Sequence, residues 1–202
     1  MRLRPSDPPA ATLALVASVA LEETVRFYLS LPFALGCVER APSQREREEA
    51  TKSPKGEGGL MLKWPNDLLL DGEKLSGILL ERAGDAVVIG IGVNLAHHPT
   101  DTDRPATSLA AHGAIVEPAA FIEMLADTFA RWLATWRTNG VPAIRDRWVD
   151  RAHPAGTALT ARLSDGTSVD GLFERLDADG ALILRLADGT RRVIHAGDVF
   201  LI

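Results

Sequence analysis

The sequence predicts an α+β protein in which helices flank a mixed or antiparallel β-sheet and a small β-barrel follows at the C-terminal end. Three observations lead to this prediction: helical spacing near both ends of the first 150 residues, short strands with Asp-Gly turns between them, and a change of texture from His153 onwards. The single Cys37 excludes an internal disulfide, so a core in this 202-residue chain depends on apolar packing.

The helices are predicted from apolar spacing and from the residues that end them. Residues 10–31 form one predicted helix that closes at Pro32, and the apolar run 33–38 is a predicted short strand. Apolar side chains at three- and four-residue steps predict a helix over 118–138, and 141–150 is a second, shorter helix.

The segment 39–59 separates the first helix from the strands. It combines mixed charge, proline and glycine with few apolar residues, and such a composition cannot bury a core. We predict a solvated insert that is dispensable for stability.

The strands follow as short apolar runs bounded by turn residues. Residues 60–64 lead into the turn 65–67, and three antiparallel strands over 68–70, 74–82 and 86–95 then form a meander. Asp71-Gly72 is typical of a tight hairpin turn.

The last fifty residues differ from the rest in how closely turn residues and short apolar runs alternate. Four Asp/Gly turn signals punctuate short β-rich runs, which predicts a small five-stranded barrel. The predicted domains are therefore 1–150 and 151–202, with the barrel docked on the first domain because fifty residues bury little apolar area alone.

Charge and hydropathy exclude several classes of protein. A net charge of −5 argues against a general nucleic-acid binder. The apolar run 10–21 loosely resembles a secretory signal, but it continues as an amphipathic helix and is too short to span a bilayer. With one cysteine and no zinc-type spacing, we expect a cytoplasmic protein without a membrane segment.

Candidate chemistry centres on a lysine and a carboxylate on neighbouring strands. Lys74 follows the hairpin turn beside the strand begun by Asn66 and Asp67, and a strand lysine can neutralise a carboxylate or phosphate. Asp67 can hold Mg²⁺, and Gly77 lets a flat ligand approach the backbone. From these residues alone, a charged and solvated strand face is the better explanation, because one lysine and one aspartate form no specific constellation.

A second candidate lies on the following strand. Gly90 and Gly92 share one strand face and leave a groove for a flat ring, and Asn94 can then pair with a base edge through its amide. A β-bulge or tight strand packing is the alternative explanation of the two glycines.

Longer motifs around these residues resemble one family. Lys-Trp-Pro-Asn-Asp at 63–67, Lys-Leu-Ser-Gly-Ile-Leu-Leu-Glu at 74–81 and Val-Ile-Gly-Ile-Gly-Val-Asn-Leu at 88–95 look like the signatures of biotin protein ligases. Ala-Thr-Ser-Leu at 106–109, a long amphipathic helix, Trp148 and the small barrel are similar in order, so the resemblance covers residues 10–202 apart from the insert.

The resemblance implies a catalytic domain related to class II aminoacyl-tRNA synthetases, with an SH3-like barrel behind it. It implies that biotin and ATP form biotinyl-5′-AMP and that a lysine of a biotin carboxyl carrier domain, from acetyl-CoA carboxylase or another biotin-dependent carboxylase, then receives the biotin. The resemblance does not include a DNA-binding domain, and it is compatible with a homodimer.

The resemblance also implies roles for individual residues. Lys74 would contact the biotin carboxylate and the phosphate, Asp67 with Asn66 would lie near Mg²⁺ and the phosphates, Gly77 would line the biotin cleft, and Asn94 beside Gly90 and Gly92 would recognise adenine. Lys63 and Trp64 would mainly hold the strand and turn.

One departure from the family pattern bears on activity. The family has a Gly/Arg-rich biotin-binding loop ahead of the first helix, and the printed sequence has no such segment. We therefore expect weak ligation from the 202 residues and ligation from a form extended upstream. A truncated homologue that binds nucleotide or carrier protein without efficient ligation, and a lipoate-type acyl-adenylating ligase, are the alternatives.

Overall fold

The computed structural model describes residues 1–34 and 59–202. Three helices and nine strands lie in these ranges, in two sheets. In chain order they are α1 (Leu13–Ala34), β1 (Leu60–Lys63), β2 (Asp67–Leu70), β3 (Glu73–Ala83), β4 (Ala86–Val93), α2 (Pro118–Asn139), α3 (Val141–Val149), β5 (Ala158–Arg162), β6 (Ser168–Leu176), β7 (Leu182–Arg185), β8 (Arg191–Ile194) and β9 (Asp198–Leu201). The predicted insert 39–59 lies outside the described residues except for Gly59.

The first sheet contains β1 to β4 in chain order, with every pair of neighbours antiparallel. The predicted meander is confirmed, and β1 extends it to four strands because Lys63 pairs with Asp67 across the turn. The β2–β3 turn has positive φ at both Asp71 (52°) and Gly72 (83°), the backbone that suits the twist of a two-residue hairpin.

Helix α1 contacts the first sheet as well as α2 and α3. Its apolar side chains are buried between Leu13 and Val25 and lie on most sides of the helix. This is expected of a helix that other elements enclose on several sides. The buried apolar residues of α1 are Leu13, Leu15, Val16, Ala17, Val19, Ala20, Leu21 and Val25.

The end predicted for the first helix is wrong. The helix continues to Ala34, two residues beyond Pro32, after beginning behind a single 3-10 turn at Ala10–Thr12. A proline removes one main-chain donor, so a helix held by its packed earlier turns can continue past it. The strand predicted for 33–38 is therefore wrong at 33–34, and 35–38 lie outside the described residues.

Helices α2 and α3 confirm the two helices predicted for 118–150. The Glu117 side chain accepts from the Ala120 backbone N–H (3.0 Å) and caps α2, which ends at Gly140 with φ of 75°. Trp136 Nε1 donates to Thr12 Oγ1 (2.8 Å), both groups being buried, so α2 is fixed to the turn that precedes α1.

The second sheet has five antiparallel strands in the order β8-β7-β6-β5-β9. Its edge strands β8 and β9 are joined by the three residues 195–197. Three residues reach at most about 14 Å, whereas the outer strands of a flat five-stranded sheet lie about 19 Å apart. The sheet must therefore curl to bring its two edges towards each other.

The apolar core is continuous across the boundary predicted near residue 151. One cluster of buried side chains includes Leu13, Leu62 and Trp148 together with Leu159 and Phe173. Trp64 Nε1 donates to the Gly180 carbonyl (3.0 Å) and adds a direct bond between the two parts. In the described ranges, none of the helices has the length and apolar character needed to cross a membrane.

Candidate functional site

A strip without side chains crosses the first sheet beside a buried carboxylate. Asp67, Gly77 and Gly92 lie opposite one another on β2, β3 and β4, and paired positions share one face of a sheet. Gly90 lies two residues from Gly92 on the same face, opposite Leu79, whose side chain is exposed. The strand register therefore brings Asp67 and the three glycines, which were predicted as parts of two candidate sites, onto one face of the sheet.

Asp67 binds two lysines, one through each carboxylate oxygen. Lys74 Nζ lies 2.5 Å from Oδ1, and Lys63 Nζ lies 3.1 Å from Oδ2. The contact with Lys74 is an ion pair without hydrogen-bond geometry, whereas Lys63 donates a hydrogen bond. The Asp67 side chain is 6% exposed and that of Lys74 is 42% exposed, so the ammonium of Lys74 is the charged group of this pair that a ligand can reach.

Lys74 is also the residue that a side chain at Gly77 would displace. A Cβ added at Gly77 would lie 3.3 Å from both Cε and Nζ of Lys74 and 3.6 Å from Asp67 Oδ1. Glycine therefore lets the lysine lie flat along the strip, close to the backbone of β3.

Lys63 connects Asp67 to the second sheet. Its ammonium lies 3.2 Å from Asp198 Oδ1 at the start of β9, and Arg104 holds both oxygens of Asp198. Burial lowers the pKa of Lys63, Asp67 opposes that shift, and the nearby charges of Arg104 and Lys74 add to it. Burial, together with the charge of Lys63, also lowers the pKa of His153.

These charged groups line a cavity of about 210 Å³ whose wall includes residues of both sheets. One part of its wall carries the charged groups Lys63, Asp67, Lys74 and Arg104. The rest is apolar and includes Trp148, Phe173 and Leu182. An anionic group with an apolar body would meet complementary surroundings there.

The two predicted asparagines are engaged with the main chain. Asn66 Nδ2 donates to the main-chain carbonyl of Ile78 (2.6 Å), and the main-chain carbonyl of Asn66 accepts from the Ile78 N–H (2.9 Å). Asn94 Nδ2 donates to the carbonyls of Thr107 (2.9 Å) and Lys74 (3.4 Å). Both donors of Asn94 are therefore used, and the adenine contact predicted for it falls to its Oδ1.

The surroundings of Asp67 do not suit a metal ion held by the protein. Each oxygen of this carboxylate faces an ammonium, and Mg²⁺ prefers several oxygen ligands in octahedral geometry. Over 1–34 and 59–202, no three His, Cys, Asp or Glu side chains are grouped as metal ligands would be. We therefore derive no step from a metal on Asp67.

Sequence reasoning missed three side chains near this site. Arg104 and Asp198 lie 94 residues apart in the chain, so no local pattern links them. His112 Nε2 lies 2.9 Å from Thr107 Oγ1, and its Nδ1 lies 3.4 Å from Asp71 Oδ2. This last contact joins the β2–β3 turn to the segment that bonds to Lys74.

Comparison with known families defines the class of protein to which this fold and site belong. Residues 9–94 match the Biotin/lipoate A/B protein ligase family, and residues 158–202 match the Biotin protein ligase C terminal domain. The first match covers the strip and both lysines, and the second covers the curled sheet.

The chain belongs to the biotin protein ligase family. It is 43% identical over 152 residues to the Biotin--[acetyl-CoA-carboxylase] ligase of Paracoccus denitrificans, covering 70% of this chain and 62% of that protein. It is 36% identical over 148 residues to the enzyme of the same name from Mycobacterium tuberculosis, covering 72% of this chain and 54% of that protein. The chain thus spans between about half and two thirds of these relatives' lengths.

Solved structures agree on the fold. The biotin protein ligase from Aquifex aeolicus in complex with biotin and ATP superimposes with a TM-score of 0.71 at 19% identity, over 100% of this chain and 76% of that chain. A biotin protein ligase-like protein of unknown function from Silicibacter sp. gives 0.62 at 22% identity, over 95% and 75%. At these identities the likeness concerns the fold alone.

Proposed function

We propose that this chain forms biotinyl-5′-AMP from biotin and ATP and transfers the biotin to a lysine of a biotin carboxyl carrier domain, in acetyl-CoA carboxylase or another biotin-dependent carboxylase. The observation that carries the proposal is the half-exposed Lys74 ammonium, which is paired with buried Asp67 and lies over Gly77, next to Gly92. The names of the relatives from Paracoccus and Mycobacterium support the substrate and the partner.

The proposed chemistry asks the protein for positioning and charge. A carboxylate oxygen of biotin attacks the α-phosphorus of ATP, and the bond to pyrophosphate breaks. The carrier lysine then attacks the acyl carbon, and AMP leaves with the electron pair. Lys74 would neutralise the carboxylate and the charge that develops at phosphorus, while Asp67 holds Lys74 in place.

The glycine strip and the cavity would position the rest of the ligands. A flat ring system can lie over Gly90 and Gly92, which carry no side chains, next to the Lys74 side chain that lies over Gly77. Asn94 would offer Oδ1 to the adenine amino group. The apolar part of the cavity wall would exclude water from the acyl-adenylate, which water otherwise hydrolyses.

Several finer features belong to the same proposal. The first part would be a catalytic domain over 1–150 related to class II aminoacyl-tRNA synthetases, and 151–202 would be an SH3-like barrel; the curl of the second sheet supports the latter. Mg²⁺ would arrive on the ATP phosphates. The single Cys37 supports a cytoplasmic location, and a homodimer is one proposed assembly.

The proposal is tested by the exchange of labelled pyrophosphate into ATP, which reports the first step alone. We expect exchange that depends on biotin and that falls about 100-fold or more in Lys74→Ala, because a preorganised charge at phosphorus is lost. Arg82→Ala is the matched control, since Arg82 is an exposed cation on the same strand. Equal exchange by Lys74→Ala and the control would contradict the assigned role.

The same assay, together with calorimetric measurement of ATP binding, separates the two alternatives. The matched family also includes lipoate ligases, so exchange that responds to lipoate and not to biotin would identify a lipoate-type enzyme. Calorimetric binding of ATP without exchange for either acid would identify a homologue that binds nucleotide only.

A further inference from the structure

Two carboxylates and three cations form an unbranched series of contacts that crosses from one sheet to the other. The ion-pair chain, as we call it, runs Lys74–Asp67–Lys63–Asp198–Arg104. Each carboxylate contacts two cations, and Lys63 contacts both carboxylates. Asp67 and Lys63 are its most buried members, with side chains 6% and 11% exposed, so solvent screens the middle of the chain least.

Sharing makes the contacts interdependent. Lys63 divides its donors between Asp67 and Asp198, at 3.1 Å and 3.2 Å. If Asp198 loses its charge, Lys63 has Asp67 as its remaining anion and competes with Lys74 for that carboxylate. If Lys63 loses its charge, Asp67 is left to Lys74. The two changes therefore act on Lys74 in opposite directions.

The far end of the chain is fixed to the second sheet. Asp198 begins β9, and the guanidinium of Arg104 lies 4.3 Å from the centre of the Phe200 ring on the same strand. Arg162 on β5 lies 4.9 Å from the same ring. The position of β9 therefore determines where Asp198 and Arg104 stand.

We infer that Lys63 and Asp198 are positioning residues through which the second sheet controls how firmly Asp67 holds Lys74. With β9 in place, Asp198 shares the ammonium of Lys63 with Asp67, and this leaves Asp67 free to pair with Lys74 on the strip. The role ascribed to Lys74 rests on the proposed function, but the coupling does not.

The coupling is tested on the ligand-free chain by limited acetylation with an N-hydroxysuccinimide ester, read at Lys74 by peptide mass spectrometry. An amine in an ion pair reacts slowly, because it is held as the ammonium. We expect Asp198→Asn to raise the Lys74 rate by about two- to fivefold and Lys63→Met to lower it by a similar factor. In Lys63→Met/Asp198→Asn the rate should equal that of Lys63→Met, because the connection passes through Lys63.

Two further variants complete the comparison, with folding checked by circular dichroism. Asp198→Glu should restore the original rate, and Asp188→Asn should leave it unchanged, since Asp188 is an exposed carboxylate bonded to Thr190 in a turn of the same sheet. A general loosening of the structure would raise the Lys74 rate in every destabilised variant, including Lys63→Met.

An unchanged rate in Asp198→Asn, or a rise that persists without Lys63, overturns the inference. Should Asp198→Asn fail to fold, a Lys74 rate in Lys63→Met at or above that of the unmodified chain overturns it as well. No biotin or nucleotide is present, so loss of pyrophosphate exchange would contradict the proposed function while leaving the acetylation results to stand.

Discussion

His153 is a buried side chain, 8% exposed, whose proton uptake is changed by its surroundings. Burial and the charge of Lys63 lower its pKa below the usual 6.5. As pH falls through 6.5, the unfolded chain takes up a proton that the folded chain resists, so the unfolded state gains stability. His153 therefore makes the free energy of unfolding decrease from about pH 7 downwards, until the lowered pKa of the folded state is passed.

We expect His153→Gln to flatten this part of the stability profile. Between pH 7.5 and 5.5 the original chain should lose more stability than the variant, because the folded state binds a proton at His153 less readily than the unfolded state does. Thermal melts across that range make the measurement. His195→Gln is the control, because His195 is an exposed histidine in the connection between β8 and β9. Parallel profiles for the original chain and His153→Gln would show that His153 does not bind its proton differently in the two states.

Much of the candidate site could be predicted from the sequence, for a local reason. Lys74, Asp67 and Gly77 lie within eleven positions joined by a tight turn, and a hairpin fixes which of them face one another. The partners of Lys63 and Asp198 could not be predicted in this way, because 135 residues separate them and only the packing of two sheets brings them within 3.2 Å.

At the scale of elements, we expect that a side chain added at Gly77 of β3 leaves the fold intact but weakens the binding of ligands. In Gly77→Val, the added Cβ meets the flexible end of Lys74, which can move, so we expect the fold to remain. The larger side chain covers the strip, and binding of ATP or biotin measured by calorimetry should weaken by about tenfold or more.

The control for that substitution is Ala83→Val, an exposed position at the end of the same strand. It adds comparable bulk away from Lys74 and should leave both binding and the thermal melt near those of the original chain. Equal affinity in Gly77→Val and Ala83→Val would show that ligands do not use this face.

The elements themselves were largely predictable, since helix and strand periodicities are local properties of a sequence. α2 was found within a residue of its predicted bounds because its apolar spacing and its end signals agree. The end of α1 was not, because Pro32 is a local signal to stop whereas the packing of the preceding turns is tertiary. The sequence likewise predicted five terminal strands, while their order depends on pairing between distant segments.

At the scale of the whole molecule, the continuous core makes the two sheets dependent on each other for stability. Trp64 and Trp148 lie where the sheets meet, and both are buried. We expect tryptophan fluorescence and far-ultraviolet circular dichroism to report one coincident thermal transition. Trp64→Phe, which removes the bond to the Gly180 carbonyl, should lower its midpoint and cost about 1 kcal/mol or more.

Two separated transitions, one for each sheet, would contradict this expectation. The control is Trp132→Phe, since Trp132 Nε1 donates to Glu23 between α2 and α1 and takes no part in the junction. It should lower the midpoint without separating the signals of the two sheets.

The segment between β4 and α2 contains a loop whose two ends are joined to β3 by main-chain hydrogen bonds. Asn94 N–H donates to the Leu75 carbonyl, Lys74 N–H to the Pro105 carbonyl, and Thr107 N–H to the Lys74 carbonyl. The exposed residues 99–103 therefore belong to a loop whose two ends are fixed to β3, so a change in the length of the loop should not move Lys74. A six-residue Gly-Ser insertion between Thr100 and Asp101 should shift the free energy of unfolding by about 1 kcal/mol or less. A dye or affinity peptide grafted there would sit next to Arg104, and could report on the arrival of ligands without disturbing the residues that bind them.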